Sequence, residues 1–274
     1  MAADQFDKVR VELHELEFIK VTPYALNKAR LLHNRDGLPQ IFDSNLSDGV
    51  DFPWDIKSDA EELYNKWCQK MFDPDLYRGI KVGGKGKAKV QSLVEAYPDR
   101  VDCNYWGAGL LINGQWWPNQ LCCLRDGAHG SAQGGIHGKK GHGAYSIVLS
   151  GGHYQDRDEA AEIWYCGTDS ADGIITDATQ RMIESSGSGR PVRVLRSQAL
   201  PATNRWKPVR GYRYDGLYDV LDYHCVDRPK QIYLFHLRRR EGQDPIRCTG
   251  VEARPTPQEI AAIDDLREKY GYAA

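Results

Sequence analysis

The sequence predicts an α+β protein: a helical first hundred residues, a strand-rich middle curling into a twisted, barrel-like sheet, and a helix near the C-terminus. Three observations carry this. Apolar residues recur at helical spacing before about residue 100, the period changes near residue 103 to short runs between glycine turns, and capping signals return after residue 255.

The 274 residues, 41% hydrophobic and 27% charged, are enough to bury a sizeable core. No apolar run approaches the ~20 residues of a membrane span. The opening MAADQFDKVRVELHE is charged and lacks the apolar stretch of a secretory signal, so cytosolic or nuclear residence is expected. Seven cysteines, an odd number with no C-x-x-C pair, argue against a disulfide framework and against a zinc site; most read as small buried apolar residues. Cys122 and Cys123 are expected on opposite faces of a strand. Net charge is −2, split as −5 over residues 1–80 and +3 over the remainder, a weak sign of a nucleic-acid-facing C-terminal part.

In chain order, Thr22-Pro23 pairs an N-cap with proline at the first helical position and predicts a helix over Tyr24–His33. Residues 35–57, rich in Asp, Ser, Asn, Gly and Pro, read as a loop. Ser58-Asp-Ala-Glu61 has the form of a capping box, with Leu63, Trp67, Met71 and Phe72 following at helical spacing. A further helix is expected over Lys87–Tyr97. The lysines at 81, 85, 87 and 89 read as a solvated face, with phosphate contact the lesser alternative; Val82-Gly-Gly-Lys-Gly lacks the full P-loop pattern. Strands are expected at Gly109–Ile112, Trp116–Leu124, Ala144–Ser150, Ile163–Cys166, Val192–Arg196, Leu217–His224 and Ile232–Leu237, with a tight turn at Asn113-Gly114. The run Gln231–Leu237 is apolar on both faces, as in a covered central strand. Thr256-Pro-Gln-Glu259 is a second capping box, opening a helix with Ile260, Ile263 and Leu266 on one side. The domain reading is therefore a helical region over 1–100, a sheet domain over 101–250 and a C-terminal helix over 251–274.

Five blocks in the sheet domain carry the functional signal: Gly134-Gly-Ile-His-Gly138, Gly143-Ala-Tyr-Ser-Ile-Val-Leu-Ser-Gly-Gly152, Asp156 with Trp164-Tyr-Cys-Gly167, Pro191-Val-Arg-Val-Leu-Arg196, and Gly211-Tyr-Arg-Tyr-Asp-Gly-Leu-Tyr218. In this order and register they resemble the SRA-YDG (SET- and RING-associated) family over roughly residues 105–240. The resemblance implies a crescent-shaped twisted β-barrel of the SRA, PUA-like kind with flanking helices. It also implies binding of double-stranded DNA containing modified cytosine, 5-methylcytosine foremost, with the base flipped into a pocket. A flipped base needs flat partners for its faces, hydrogen-bond partners for its edge and space for the methyl group. A carboxylate is the natural acceptor for the cytosine amino group.

Carried over residue by residue, the resemblance implies that Asp156 reads the cytosine edge, and that His153 and Tyr165 stack on the base. A one-residue shift would make Tyr154 the first ring, and that alternative stays open. Cys166 stands where the family usually has threonine or serine, a weaker hydrogen-bond donor. The backbone amides of Ser150 and Gly151 are expected to meet the base carbonyl. Gln133, at the tip of the loop before Gly134, is the residue implied to fill the space left by the base. The second family loop, here Thr168–Asp177, is short and carries Asp169 and Asp172 with no basic residue, which argues against sensing hemimethylation there. Seen alone, Tyr165 would be an ordinary half-buried strand aromatic and Asp156 a solvated loop acid; the joint pattern selects them. Phosphate contacts are expected from Lys139, Lys140, Arg193 and Arg196, with Arg213 a further candidate. Tyr214-Asp-Gly216 reads as structural, a turn flanked by packing tyrosines.

No catalytic constellation, metal site or cofactor is implied, and the reading is a non-enzymatic reader residing in the nucleus. The helical N-terminal region either binds a protein partner or braces the sheet. Alternatives are a modification-dependent endonuclease or a subunit of one, and a protein-interaction scaffold that retains only the fold.

Overall fold

The computed structural model describes residues 3–47, 49–83, 90–152, 156–170 and 172–270. Its α-helices are α1 (Ala3–Leu16), α2 (Pro23–Lys28), α3 (Pro39–Phe42), α4 (Trp54–Cys68), α5 (Gln120–Arg125), α6 (Asp177–Ser185) and α7 (Pro257–Tyr270). The strands are β1 (Ile80–Gly83), β2 (Val90–Leu93), β3 (Trp116–Trp117), β4 (Ile136–Lys139), β5 (Gly143–Leu149), β6 (Arg157–Glu159), β7 (Glu162–Cys166), β8 (Val192–Ser197), β9 (Tyr212–Asp227) and β10 (Ile232–Arg239). The chain divides into two compact units, one of Met1–Val90 with Thr256–Ala274, the other of Gln91–Pro255. α7 therefore groups with the N-terminal helices.

In the helical unit, Leu13, Leu26, Leu38, Ile56, Ala60, Leu63 and Trp67 form the core. α1 and α4 are cross-linked by two polar rungs. Arg10 Nε donates to Asp55 Oδ2 at 2.6 Å, and His14 Nε2 lies 2.8 Å from Asp59 Oδ2. Both rungs follow from i, i+4 spacing, which places 10 with 14 and 55 with 59 on facing stripes. Thr22 caps α2 by accepting from Ala25 N at 3.1 Å, but that helix ends at Lys28, earlier than expected. α4 begins at Trp54, inside the expected loop, so Ser58 is an interior helical residue and not a cap. The Thr256 box is real: Thr256 N donates to Glu259 Oε2 at 2.6 Å, and Glu259 N donates back to Thr256 Oγ1 at 3.1 Å.

The second unit is built on one sheet in the order β4-β5-β8-β9-β10-β7-β6, with β3 pairing on β9. β5 and β8 run parallel and the other pairs are antiparallel. The α+β class and flanking helices match the expectation, while the hydrogen-bonded path ends at β4 and β6 and does not close into a barrel. Its core includes Ile136, Ile147, Leu149, Ile163, Tyr165, Val194, Tyr218 and Phe235. β10 lies between β9 and β7, as its two-faced apolar pattern predicted.

Three element assignments are corrected. The expected helix over 87–97 is strand β2 at Val90–Leu93, and Lys85, Lys87 and Lys89 lie outside the described residues. The strand expected over 116–124 is two residues of β3 followed by α5, whose N-cap Asn119 accepts from Cys122 N at 2.9 Å. Cys122 and Cys123 are thus consecutive, fully buried helical residues. No strand forms at Gly109–Ile112.

Candidate nucleic-acid interface

β8 carries the basic run Val192-Arg-Val-Leu-Arg196, and every residue of that strand is buried. Arg193 has no exposed surface and spends its guanidinium on main-chain carbonyls: Tyr105 at 2.6 Å, Cys103 at 2.8 Å, Gly107 at 3.1 Å and Ala128 at 3.2 Å. Burial without a carboxylate partner pulls its pKa down. Arg196 forks onto Asp158, with Nη2 to Oδ1 at 2.6 Å and Nε to Oδ2 at 2.8 Å, and reaches Asp215 Oδ2 at 2.9 Å. Arg213 closes the network from the other side, Nε to Asp215 Oδ1 at 2.6 Å. Two arginines and two aspartates thus neutralise one another inside the sheet, as buried charges must.

The expectation that Arg193, Arg196 and Arg213 touch phosphates is therefore corrected. Their donors are consumed internally, and all three side chains are sealed from solvent. The Tyr214-Asp-Gly216 signature is structural but is not a turn, because it lies within β9 and Asp215 is the hub of the arginine network. Gly216 is required at φ +106°, where a Cβ would meet Gln243 Oε1 at 2.6 Å.

β6 and β7 pair with Arg157 opposite Trp164 and Asp158 opposite Ile163. Continuing that register one step sets Asp156 across from Tyr165, on the face that holds Ile163. Asp156 Oδ1 accepts from Cys166 N at 2.7 Å, while Oδ2 has no partner among the described residues. Burial raises the Asp156 carboxyl to about 6; the Cys166 amide opposes the shift, and the negative charge of Asp158 adds to it. Asp158 goes the other way: burial pushes it up, but the Arg196 fork and Asn204 hold it below the usual carboxylate range. A cavity of about 220 Å³ opens beside Asp156, lined by Gly151, Gly152, Asp158, Leu200, Pro201, Thr203 and Asn204. Gly151, at φ +71°, leaves no room for a side chain, since a Cβ would sit 2.9 Å from Ala199 O.

Tyr165 is buried in the core, and its hydroxyl donates to Gly135 O at 3.2 Å. Cys166 is buried, and Ser150 is half-buried beside Gly151. His153 and Tyr154 lie outside the described residues. Gln133 is exposed at the tip of its loop. That loop is clamped from within: Gln120 Nε2 donates to Ser131 O at 3.1 Å and to Gly134 O at 2.8 Å. His129, fully buried, lies with Nε2 2.8 Å from Gly134 O and Nδ1 2.9 Å from Ser146 Oγ. A carbonyl can only accept, so Nε2 carries the hydrogen and Nδ1 accepts from the serine hydroxyl. Burial lowers the His129 pKa to about 3, keeping the ring neutral.

Lys139 and Lys140 are exposed at the β4–β5 turn. Asp158, Asn204, Gln120 and His129 were missed as site residues, because each owes its role to partners far away in sequence. Asp158 was visible only as part of the acidic run around Asp156. Among the described residues no group of three or more His, Cys, Asp or Glu could hold a metal, and no helix is long and apolar enough to cross a membrane.

The SAD/SRA domain family model matches residues 108–243, about half of the chain. The chain is 29% identical over 210 residues to the E3 ubiquitin-protein ligase UHRF1 of Bos taurus, covering 61% of this chain and 26% of that protein. It therefore spans about a quarter of the length of that relative. Among solved structures it is similar to the SUVH5 SRA bound to fully hydroxymethylated CG DNA, at 26% identity and a TM-score of 0.43 over 52% of this chain and 98% of that one. It is also similar to the modification dependent TagI restriction endonuclease, at 28% identity and a TM-score of 0.45 over 52% of this chain and 54% of that one. Residues 108–243 are thus an SAD/SRA domain, and through it the chain belongs to the SRA-YDG family.

Proposed function

We propose that this chain is a non-enzymatic reader of modified cytosine in duplex DNA, 5-methylcytosine foremost, acting in the nucleus. The base is extruded from the stack, its edge read by Asp156 and one face covered by Tyr165. Membership of the SRA-YDG family supplies the expectation. The observation that carries the reading is the placement of Asp156: across from Tyr165 in the continued strand register, one oxygen anchored on Cys166 N, the other without a partner among the described residues, beside an open cavity. A carboxyl so placed meets the N4 amino group of a flipped cytosine. Gly151, with its positive φ, lets backbone approach the base closely, and Ser150 and Gly151 serve the base carbonyl. His153, or Tyr154 in its place, covers the second face of the ring. Gln133 enters the vacated stack and offers its amide to the orphan guanine. Lys139 and Lys140 take phosphates.

Extrusion is tested by placing 2-aminopurine beside a single 5-methylcytosine and adding the protein. Unstacking should raise the fluorescence, and an unchanged signal at saturating protein contradicts base flipping. Incubation with Mg²⁺ and methylated plasmid checks the second half of the reading, since strand cleavage would make the chain a nuclease.

A further inference from the structure

Three arginines that flank β6, β7 and β10 are tied to acids: Arg157 to Glu159, Arg238 to Glu162 and Arg240 to Asp219. The surface around the β4–β5 turn differs. At the β4–β5 turn, Lys139, Lys140 and His142 are exposed, and Arg190 is exposed on the loop after α6. Lys139, Lys140 and Arg190 form no ion pair among the described residues. The Arg190 guanidinium lies 4.0 Å from the ring centroid of Trp106, and the His142 ring stacks on the same indole at 5.9 Å with planes 24° apart. Tyr145 packs edge-on against Trp106 at 5.2 Å, fixing the indole from the core side. The carboxylate of Glu184 is occupied by the Gly141 amide, at 2.9 Å.

Trp106 Nε1 and Arg181 Nε are buried beneath this surface without an acceptor among the described residues, the latter on a side chain whose charge reaches His137. A stacked guanidinium keeps its in-plane N–H groups free, pre-oriented for a tetrahedral anion. Exposed cations without an ion-pair partner, one of them held flat on an indole, call for an anionic ligand.

We propose that Arg190, Trp106 and His142, with Lys139 and Lys140, form a seat for the phosphodiester backbone of duplex DNA, separate from the base pocket. The proposal rests on the reader function above and extends it. The seven residues of β5, at about 3.3 Å each, separate this turn from Ser150 by roughly 20 Å. The seat therefore touches backbone away from the extruded base and contributes equally to modified and unmodified DNA.

The test is fluorescence anisotropy of the full chain on two labelled duplexes, unmodified and singly methylated, over a range of salt. Arg190→Ala should weaken both duplexes by the same factor and flatten the slope of log affinity against log salt by about one. Lys139→Ala with Lys140→Ala should flatten it by about two. Trp106→Phe keeps a ring under the Arg190 guanidinium and removes only a buried N–H, so it should leave the affinity for both duplexes near wild type. Wild-type affinity and slope in the Arg190 and double-lysine variants would overturn the seat, even with the preference for methylated DNA intact. A loss confined to the methylated duplex would also overturn it. If the wild type ignores methylation but Arg190→Ala still flattens the slope, the seat stands and the reader function falls.

Discussion

At Asp156, burial lifts the carboxyl to about 6, against the pull of the Cys166 amide. A raised acid binds a proton in the folded state at pH values where the unfolded chain has released it. Its contribution to stability is therefore fully present below about pH 4 and is lost as pH rises through about 6. Asp156→Asn should accordingly be more stable than wild type at pH 7.5, by on the order of 2 kcal/mol. The gain should vanish near pH 4, as read by urea unfolding at several pH values. Equal stability at every pH would show that the carboxyl is not buried as described. The candidacy of Asp156 and Tyr165 rests on the joint order of five sequence blocks, because a binding pocket demands residue types at fixed spacing. The commitments of Arg193 and Arg196 were not legible in the sequence. A basic strand reads alike whether its guanidinium groups face phosphates or, as here, buried carbonyls and carboxylates.

Among elements, β8 holds two fully buried arginines, Arg193 and Arg196. Arg196 joins β8 to Asp158 on β6 and to Asp215 on β9, so one side chain ties three strands. Arg196→Ala leaves buried Asp158 without its cation and Asp215 with Arg213 alone, and should cost about 3–5 kcal/mol, measured by thermal or urea unfolding. A loss below about 1 kcal/mol would show that the network is dispensable. The two capping boxes make a complementary point. Ser58-Glu61 and Thr256-Glu259 look alike in sequence, yet only the second caps, because Pro53 and Trp54 start α4 four residues before Ser58. Thr256→Ala should destabilise by about 1 kcal/mol, while Ser58→Ala removes no cap. The residue run 116–124 misled for a related reason. Its apolar residues fit a strand or a short helix equally well, and Asn119 at the N-cap decides for the helix.

For the whole molecule, sequence patterning separated a helical part from a sheet part but did not show where α7 belongs, since an amphipathic helix carries no label for the core it joins. The grouping of α7 with residues 1–90 is a long-range fact. The helical unit keeps its net negative charge, while the sheet unit holds the cavity beside Asp156 and the exposed Lys139, Lys140 and Arg190, so the proposed DNA interface lies on the second unit. Salt should therefore weaken binding of both modified and unmodified duplexes, while their ratio stays nearly constant. The most direct test is a binding titration with a duplex carrying one 5-methylcytosine and its unmodified twin, on wild type and on Asp156→Ala. The account predicts tighter binding of the methylated duplex by wild type and loss of that preference in the variant, a cost of about 1–3 kcal/mol, with folding intact. Equal affinity of wild type for the two duplexes, or an undiminished preference in Asp156→Ala, would contradict it.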